Sequence, residues 1–117
     1  MGANKVQIFH LDEVPVEKLA GGGEVRRIIT KENTGMDLTF SKGFAMPGGG
    51  HDMHSHEEQD EVIFCLEGGG TMTVEGHGDM EYKAGMVLVI PRGVKHCNRN
   101  TTDQELHVVT IFNPALR

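Results

Sequence analysis

The chain has no tryptophan, one tyrosine and five phenylalanines among 117 residues, so any core it forms is mainly aliphatic. Its two cysteines, Cys65 and Cys97, are too few for a disulfide framework. They read as small buried or half-buried hydrophobes, and thiol catalysis is not expected. No run approaches the ~20 apolar residues of a membrane-spanning helix. The opening Met1-Gly2-Ala3-Asn4-Lys5 is not followed by the long apolar stretch of a signal peptide, so a cytoplasmic location is expected. Basic residues are outnumbered 11 to 17, giving a net charge of −6, which argues against nucleic acid or anionic membrane as a partner. Internal repeats and low-complexity tails are also missing.

Glycine is plentiful, with sixteen residues. Short strand-like runs lie between the glycine turns, and no convincing amphipathic helix interrupts them. Val6–Phe9 reads as a first strand, followed by a loop at Pro15 and a short helical turn over Val16–Ala20. Gly21-Gly22-Gly23 leads into Glu24–Thr30. Met36–Met46 reads as a long strand with Phe40, Phe44 and Met46 on one face. Glu61–Leu66 and Thr71–Glu75 flank Gly68-Gly69-Gly70 as a hairpin, Met80–Lys83 and Met86–Ile90 follow, and Gln104–Phe112 closes the series. Many short strands at regular spacing predict an all-β sandwich or barrel of one domain.

The chemistry lies in two glycine-punctuated stretches. One runs Gly48, His54-Ser55-His56, Glu61, Gly68, and the other Gly85, Pro91, Gly93, His96, Asn100. Three imidazoles and a carboxylate are donors suited to a borderline divalent transition metal. Strand alternation puts His54 and His56 on one face. Glu61 lies an odd step further on, so a bulge or short turn within Glu57–Asp60 must reset the phase. His96 follows the turn Pro91-Arg92-Gly93, on a strand that can return opposite the histidine pair. Gly93 and Asn100 shape that turn. By parity Cys65 points inward with Glu61 and Ile63, and Cys97 points away from the side of His96.

Together these stretches resemble the two motifs of the cupin superfamily, in its small single-domain form, over Gly48 to Asn100. The resemblance implies a double-stranded β-helix, or jelly-roll barrel, over residues 1–117. Residues 36–112 would form the barrel core, and 1–23 an N-terminal arm of a kind exchanged between copies of similar proteins. It implies a divalent metal (Mn, Fe, Ni, Zn or Cu) bound by His54, His56, Glu61 and His96 near the barrel mouth. It also implies a small-molecule ligand or substrate and a homodimer. One reaction does not follow from the fold. The leading expectation is a metal-dependent enzyme, either a dioxygenase or a lyase, decarboxylase or isomerase, with Glu61 also moving a proton. The alternative is a binding or sensing domain without turnover.

By analogy with similar small cupins, Val108 and Thr110 face the metal. Phe44, Met46 and Met53 are further candidates for the pocket wall, although core packing also explains them. His51 either reaches substrate at the rim or is a solvated surface histidine. His10, His77 and His107 have no motif support. No Arg or Lys is demonstrably aimed at the site; Arg92, Lys95 and Arg99 flank His96 and can face either way. That weighs against a strongly anionic substrate.

Overall fold

Period-two alternation is clearest in Thr39–Ala45, where Thr39, Ser41, Gly43 and Ala45 are buried and Phe40, Lys42 and Phe44 face outward, half-buried. Phe40 and Phe44 share a face as expected. The computed structural model describes residues 5–117. Its strands are β1 (Glu17–Lys18), β2 (Glu24–Ile29), β3 (Thr39–Ala45), β4 (Gly50–His54), β5 (Asp60–Glu67), β6 (Gly69–Val74), β7 (Gly78–Lys83), β8 (Val87–Ile90), β9 (His96–Arg99) and β10 (Leu106–Asn113). One helical turn, α1 (Lys31–Thr34), separates β2 from β3.

The strands form two sheets, six-stranded in the order β1-β2-β3-β10-β5-β8 and four-stranded in the order β4-β9-β6-β7. Every strand-to-strand ladder is antiparallel. This is the jelly roll, or double-stranded β-helix. Its core is aliphatic, with Ile63, Cys65, Met72, Ile90, Leu106 and Val108 between the sheets and Tyr82 as the one buried aromatic of that cluster. Cys65 lies inside, as its parity requires.

The amino-terminal region departs from expectation in two places. Val6–Phe9 is not a strand, and Val6 and Ile8 are each 91% exposed. The segment pairs with no strand, and β1 remains the edge of the six-stranded sheet. The turn expected over Val16–Ala20 is instead β1, with Glu17 and Lys18 paired to Val25 and Glu24. Five residues between Pro15 and Gly21 are too few to repay helix nucleation. The helical turn present nearby is a 3-10 turn at Leu11–Glu13.

Along one edge, backbone bonds join the two sheets. Gly23 N–H donates to the Gly50 carbonyl at 2.7 Å, Gly50 N–H to Gly21 at 3.1 Å and Asp52 N–H to Ala20 at 2.9 Å. Glycine is required for this approach, because a Cβ on Gly23 would lie 2.7 Å from the Gly50 oxygen. Asn100 ties the end of β3 to the turn that follows β9. Its side-chain amide donates to the carbonyls of Ala45 (3.0 Å) and Gln104 (2.6 Å), and its oxygen accepts from the backbone and hydroxyl of Thr102.

Candidate metal centre

β4 and β9 bring the first histidines together. His54 is paired with His96 and His51 with Asn98, but the ladder slips between those two pairs. Asp52 and Met53 thus oppose Cys97 alone, a β-bulge. In a regular strand, residues three apart point to opposite faces, whereas this bulge turns both His51 and His54 inward. The phase reset expected within Glu57–Asp60 therefore has a counterpart one turn of chain earlier. β4 ends at His54, so His56 sits on the connection to β5 and not on the same strand. It still reaches the cluster, with Nε2 3.8 Å from Glu61 Oε1. Glu61, near the start of β5, faces inward beside His96, with Oε1 3.4 Å from His96 Nε2.

Two overlapping triads result. The potential donor atoms of His56, Glu61 and His96 lie within 4.8 Å of one another, and so do those of His51, His54 and His96. The four residues expected to bind metal are divided between these triads, His56 and Glu61 in one and His54 in the other with His96 common to both, and His51 joins His54.

Partnerless polar atoms mark the same place. Among the described residues, the buried side-chain nitrogens and oxygens without a hydrogen-bond partner are Glu61 Oε1, His96 Nε2, Arg27 Nε and Thr110 Oγ1. Buried polar groups are almost always bonded, so four orphans gathered at one site call for a ligand. Arg27, Glu61 and Thr110 line one cavity of about 90 Å3, together with His51, His54 and His56, while His96 lies fully buried beside Glu61. At ~30 Å3 per water, that volume suits a few waters or a ligand of few heavy atoms.

The protonation states suit a cation. Burial, reinforced by the neighbouring His51, His56 and His96, lowers the His54 pKa to about 3. Burial also lowers those of His51 and His56, against the raising influence of an Asp52 carbonyl bond and of Glu61 respectively. His96 moves the other way. Burial lowers it, but Glu61 and the Val94 carbonyl outweigh that and raise it. His96 Nδ1 faces the Val94 carbonyl at 2.9 Å and must carry the proton there, which leaves Nε2 turned toward Glu61. A divalent cation bound by these residues would satisfy both partnerless atoms, His96 Nε2 and Glu61 Oε1. The residues present therefore fit a divalent metal.

The cavity wall agrees in part with the sequence. Val108, Thr110 and His51 line it, whereas Phe44 borders it only from the strand, its ring turned to the outer face against His107. Met46 and Met53 do not line it, being 54% and 41% exposed. Met46 follows the end of β3, and Met53 sits on the bulge, where the phase change turns it to solvent.

Arg27, a cation the motifs did not point to, faces the site. On β2 it pairs with the buried Ser41 and so shares the inner face with Val25. Its guanidinium donates to Ser41 Oγ at 3.3 Å and lies 5.8 Å from the centre of the Phe112 ring. The alternation of Val25 and Arg27 was the available signal, but in the pair Arg26-Arg27 nothing local tells which of the two faces inward. The flanking cations are engaged elsewhere. Arg92 grips Asp60 with two nitrogens, Lys95 Nζ is 3.9 Å from Glu75, and Arg99 donates to the carbonyls of Gly21 and Gly48.

Comparison with known proteins agrees with this architecture. An uncharacterized protein of Streptomyces coelicolor is 28% identical over 93% of this chain and 97% of its own length. A germin-like protein of Arabidopsis thaliana (subfamily 2 member 1) is 34% identical over 69% of the chain, which spans only 39% of that protein. Among solved structures, a predicted oxalate decarboxylase of Thermotoga maritima superposes with a TM-score of 0.80 at 24% identity, covering 91% of this chain and 97% of that one. A sequence profile for the cupin domain matches residues 45–112, more than half of the chain. The protein belongs to the cupin domain family.

Proposed function

We propose that the protein is a metal-dependent enzyme of the lyase, decarboxylase or isomerase type, acting on a small carbonyl compound that carries a carboxylate. The observation that supports this most directly is the set of four orphaned polar atoms around one small cavity, one of them on a guanidinium. His54, His56, Glu61 and His96 would hold the ion. A divalent metal there supplies Lewis-acid polarisation of an oxygen on the substrate.

The chain's own groups divide the remaining work. Arg27 offers a planar fork of donors matched to a carboxylate, and Thr110 Oγ1 offers a further hydrogen bond. Ile63, Leu106, Val108 and Phe112 exclude water from the cavity, which strengthens both interactions. Glu61 would take a proton from the substrate carbon or return one when its carboxylate is released from the ion. The name of the Thermotoga protein points to a small carboxylate too, but at 24% identity that likeness concerns the fold. The substrate class proposed here rests on Arg27.

The assembly is proposed as a homodimer. The outer face of the six-stranded sheet exposes Phe64, Leu66, Val87 and Val89 on the adjacent strands β5 and β8, and pairing two copies would cover them. Within the described residues no helix is long and apolar enough to cross a membrane.

Elemental analysis of protein purified without a metal-chelating tag tests the reading, with a His54→Ala/His96→Ala variant alongside. About one equivalent of transition metal, lost in the variant, supports it and directs screening to 2-oxo acids and dicarboxylates. A folded wild-type protein that holds no metal overturns it.

A further inference from the structure

His51 lies outside the four-residue ligand set, yet its geometry matches that set closely. The β4 bulge turns it inward beside His54, where regular alternation would have turned it outward. Its ring lies against that of His54 with centroids 4.1 Å apart and planes only 5° from parallel, and it meets His96 edge-on at 5.4 Å. It lines the cavity and completes a triad with His54 and His96 whose donor atoms lie within 4.8 Å.

Its tautomer is also fixed. His51 Nδ1 lies 3.0 Å from the Asp52 carbonyl oxygen. A carbonyl cannot donate, so Nδ1 carries the proton and Nε2 keeps its lone pair. His96 has the same arrangement through Val94. A ring nitrogen bonded to a backbone carbonyl is the usual outer support of a metal-binding imidazole. A solvated rim histidine requires neither the bulge nor the fixed tautomer, and ligation would turn the two stacked rings out of parallel, because an imidazole lone pair lies in the plane of its ring.

We propose that His51 is a metal ligand through Nε2, completing with His54 and His96 one of two triads that share His96. The inference rests on the metal-centre reading above. The four-ligand set alone predicts that losing Glu61 leaves three histidines from one motif pair. With His51 included, four histidines remain, and the His51–His54–His96 triad stays whole.

Co(II) titration of metal-stripped protein, followed by visible absorption and calorimetry, tests this in wild type, His51→Ala, His51→Gln, Glu61→Gln and the Glu61→Gln/His51→Ala double variant. In His51→Ala the expected result is a shifted Co(II) spectrum and Kd weakened by at least about tenfold. Glu61→Gln should still bind one equivalent, and the double variant should bind far more weakly than either single variant. His51→Gln keeps the bulk of the side chain and should show the same spectral shift should the alanine variant fold poorly. Spectra and Kd unchanged by both His51 substitutions, in wild-type protein that binds Co(II), would overturn the role of His51 and leave the metal centre intact. Wild-type protein that binds no Co(II) would overturn both.

Discussion

A methyl group placed on Gly50 would lie 1.9 Å from the carbonyl oxygen of Asn98. The two residues belong to β4 and β9, the strands that present His51, His54 and His96. The absent side chain thus sets how closely the histidine-bearing strands approach. Gly50→Ala should destabilise the protein by about 3 kcal/mol, at the upper end of overpacking costs, because the obstacle is backbone and cannot rotate away. Urea denaturation measures it, and bound metal per chain should fall in the same variant. A stability within 1 kcal/mol of wild type would refute the steric argument.

Asn100 sits on the same framework but holds no metal. Asn100→Ala leaves the Ala45 and Gln104 carbonyls without their donor and removes the acceptor for Thr102. The expected loss is about 3 kcal/mol, with metal stoichiometry preserved at temperatures where the variant is folded. Loss of metal from a fully folded variant would assign Asn100 to the site itself.

Arg27→Ala should separate substrate from metal. Removing a charged hydrogen bond from an enclosed site costs about 1.5–3 kcal/mol, or roughly tenfold to a hundredfold in affinity. Calorimetry of the metal-loaded variant with small carboxylates should show that weakening, with one ion still bound. Equal affinity in the two proteins would remove the basis for a carboxylate substrate.

The metal-stripped protein should lose stability in acid. His51, His54 and His56 have folded pKa values below the ordinary ~6.5, so the unfolded chain binds more protons there as pH falls. Destabilisation begins as pH drops through about 6.5 and continues toward about 3, where His54 itself titrates. His96, raised by Glu61, works in the opposite sense: its contribution is present below ~6.5 and is lost as pH rises through its folded value. Three groups oppose one, so Tm measured in the presence of a chelator should fall between pH 7 and pH 5. A flat or rising profile would contradict the assigned burial.

Val87 and Val89 are 58% and 69% exposed beside Phe64 on the outer sheet face. Val89→Lys should convert a dimer to a monomer in light scattering without disturbing metal binding. Wild-type protein that is already monomeric would end the dimer proposal.

The two motifs made the barrel and the four-residue cluster legible, because ligand chemistry and glycine spacing are local properties of the sequence. His51 was less legible. Its inward aim depends on a bulge that arises from pairing with β9, some 45 residues away in the chain, and no local pattern encodes that slip. Arg27 was hidden for a related reason: only its register opposite the buried Ser41 reveals which face it takes. Val6–Phe9 shows the reverse failure, since strand propensity alone produced no strand.

The backbone bonds between Gly21–Gly23 and Gly50–Asp52 close only one long seam of the barrel. β7 and β8, each the last strand of its sheet, are not laddered to each other, and a mainly apolar hollow of about 710 Å3 lies along them, with Met80, Met86 and Leu88 in its wall. The molecule is therefore stitched on one side and unlaced on the other. Breathing should begin at the unlaced side, with β7 and β8 exchanging amide protons first, while the metal-bearing strands stay fastened.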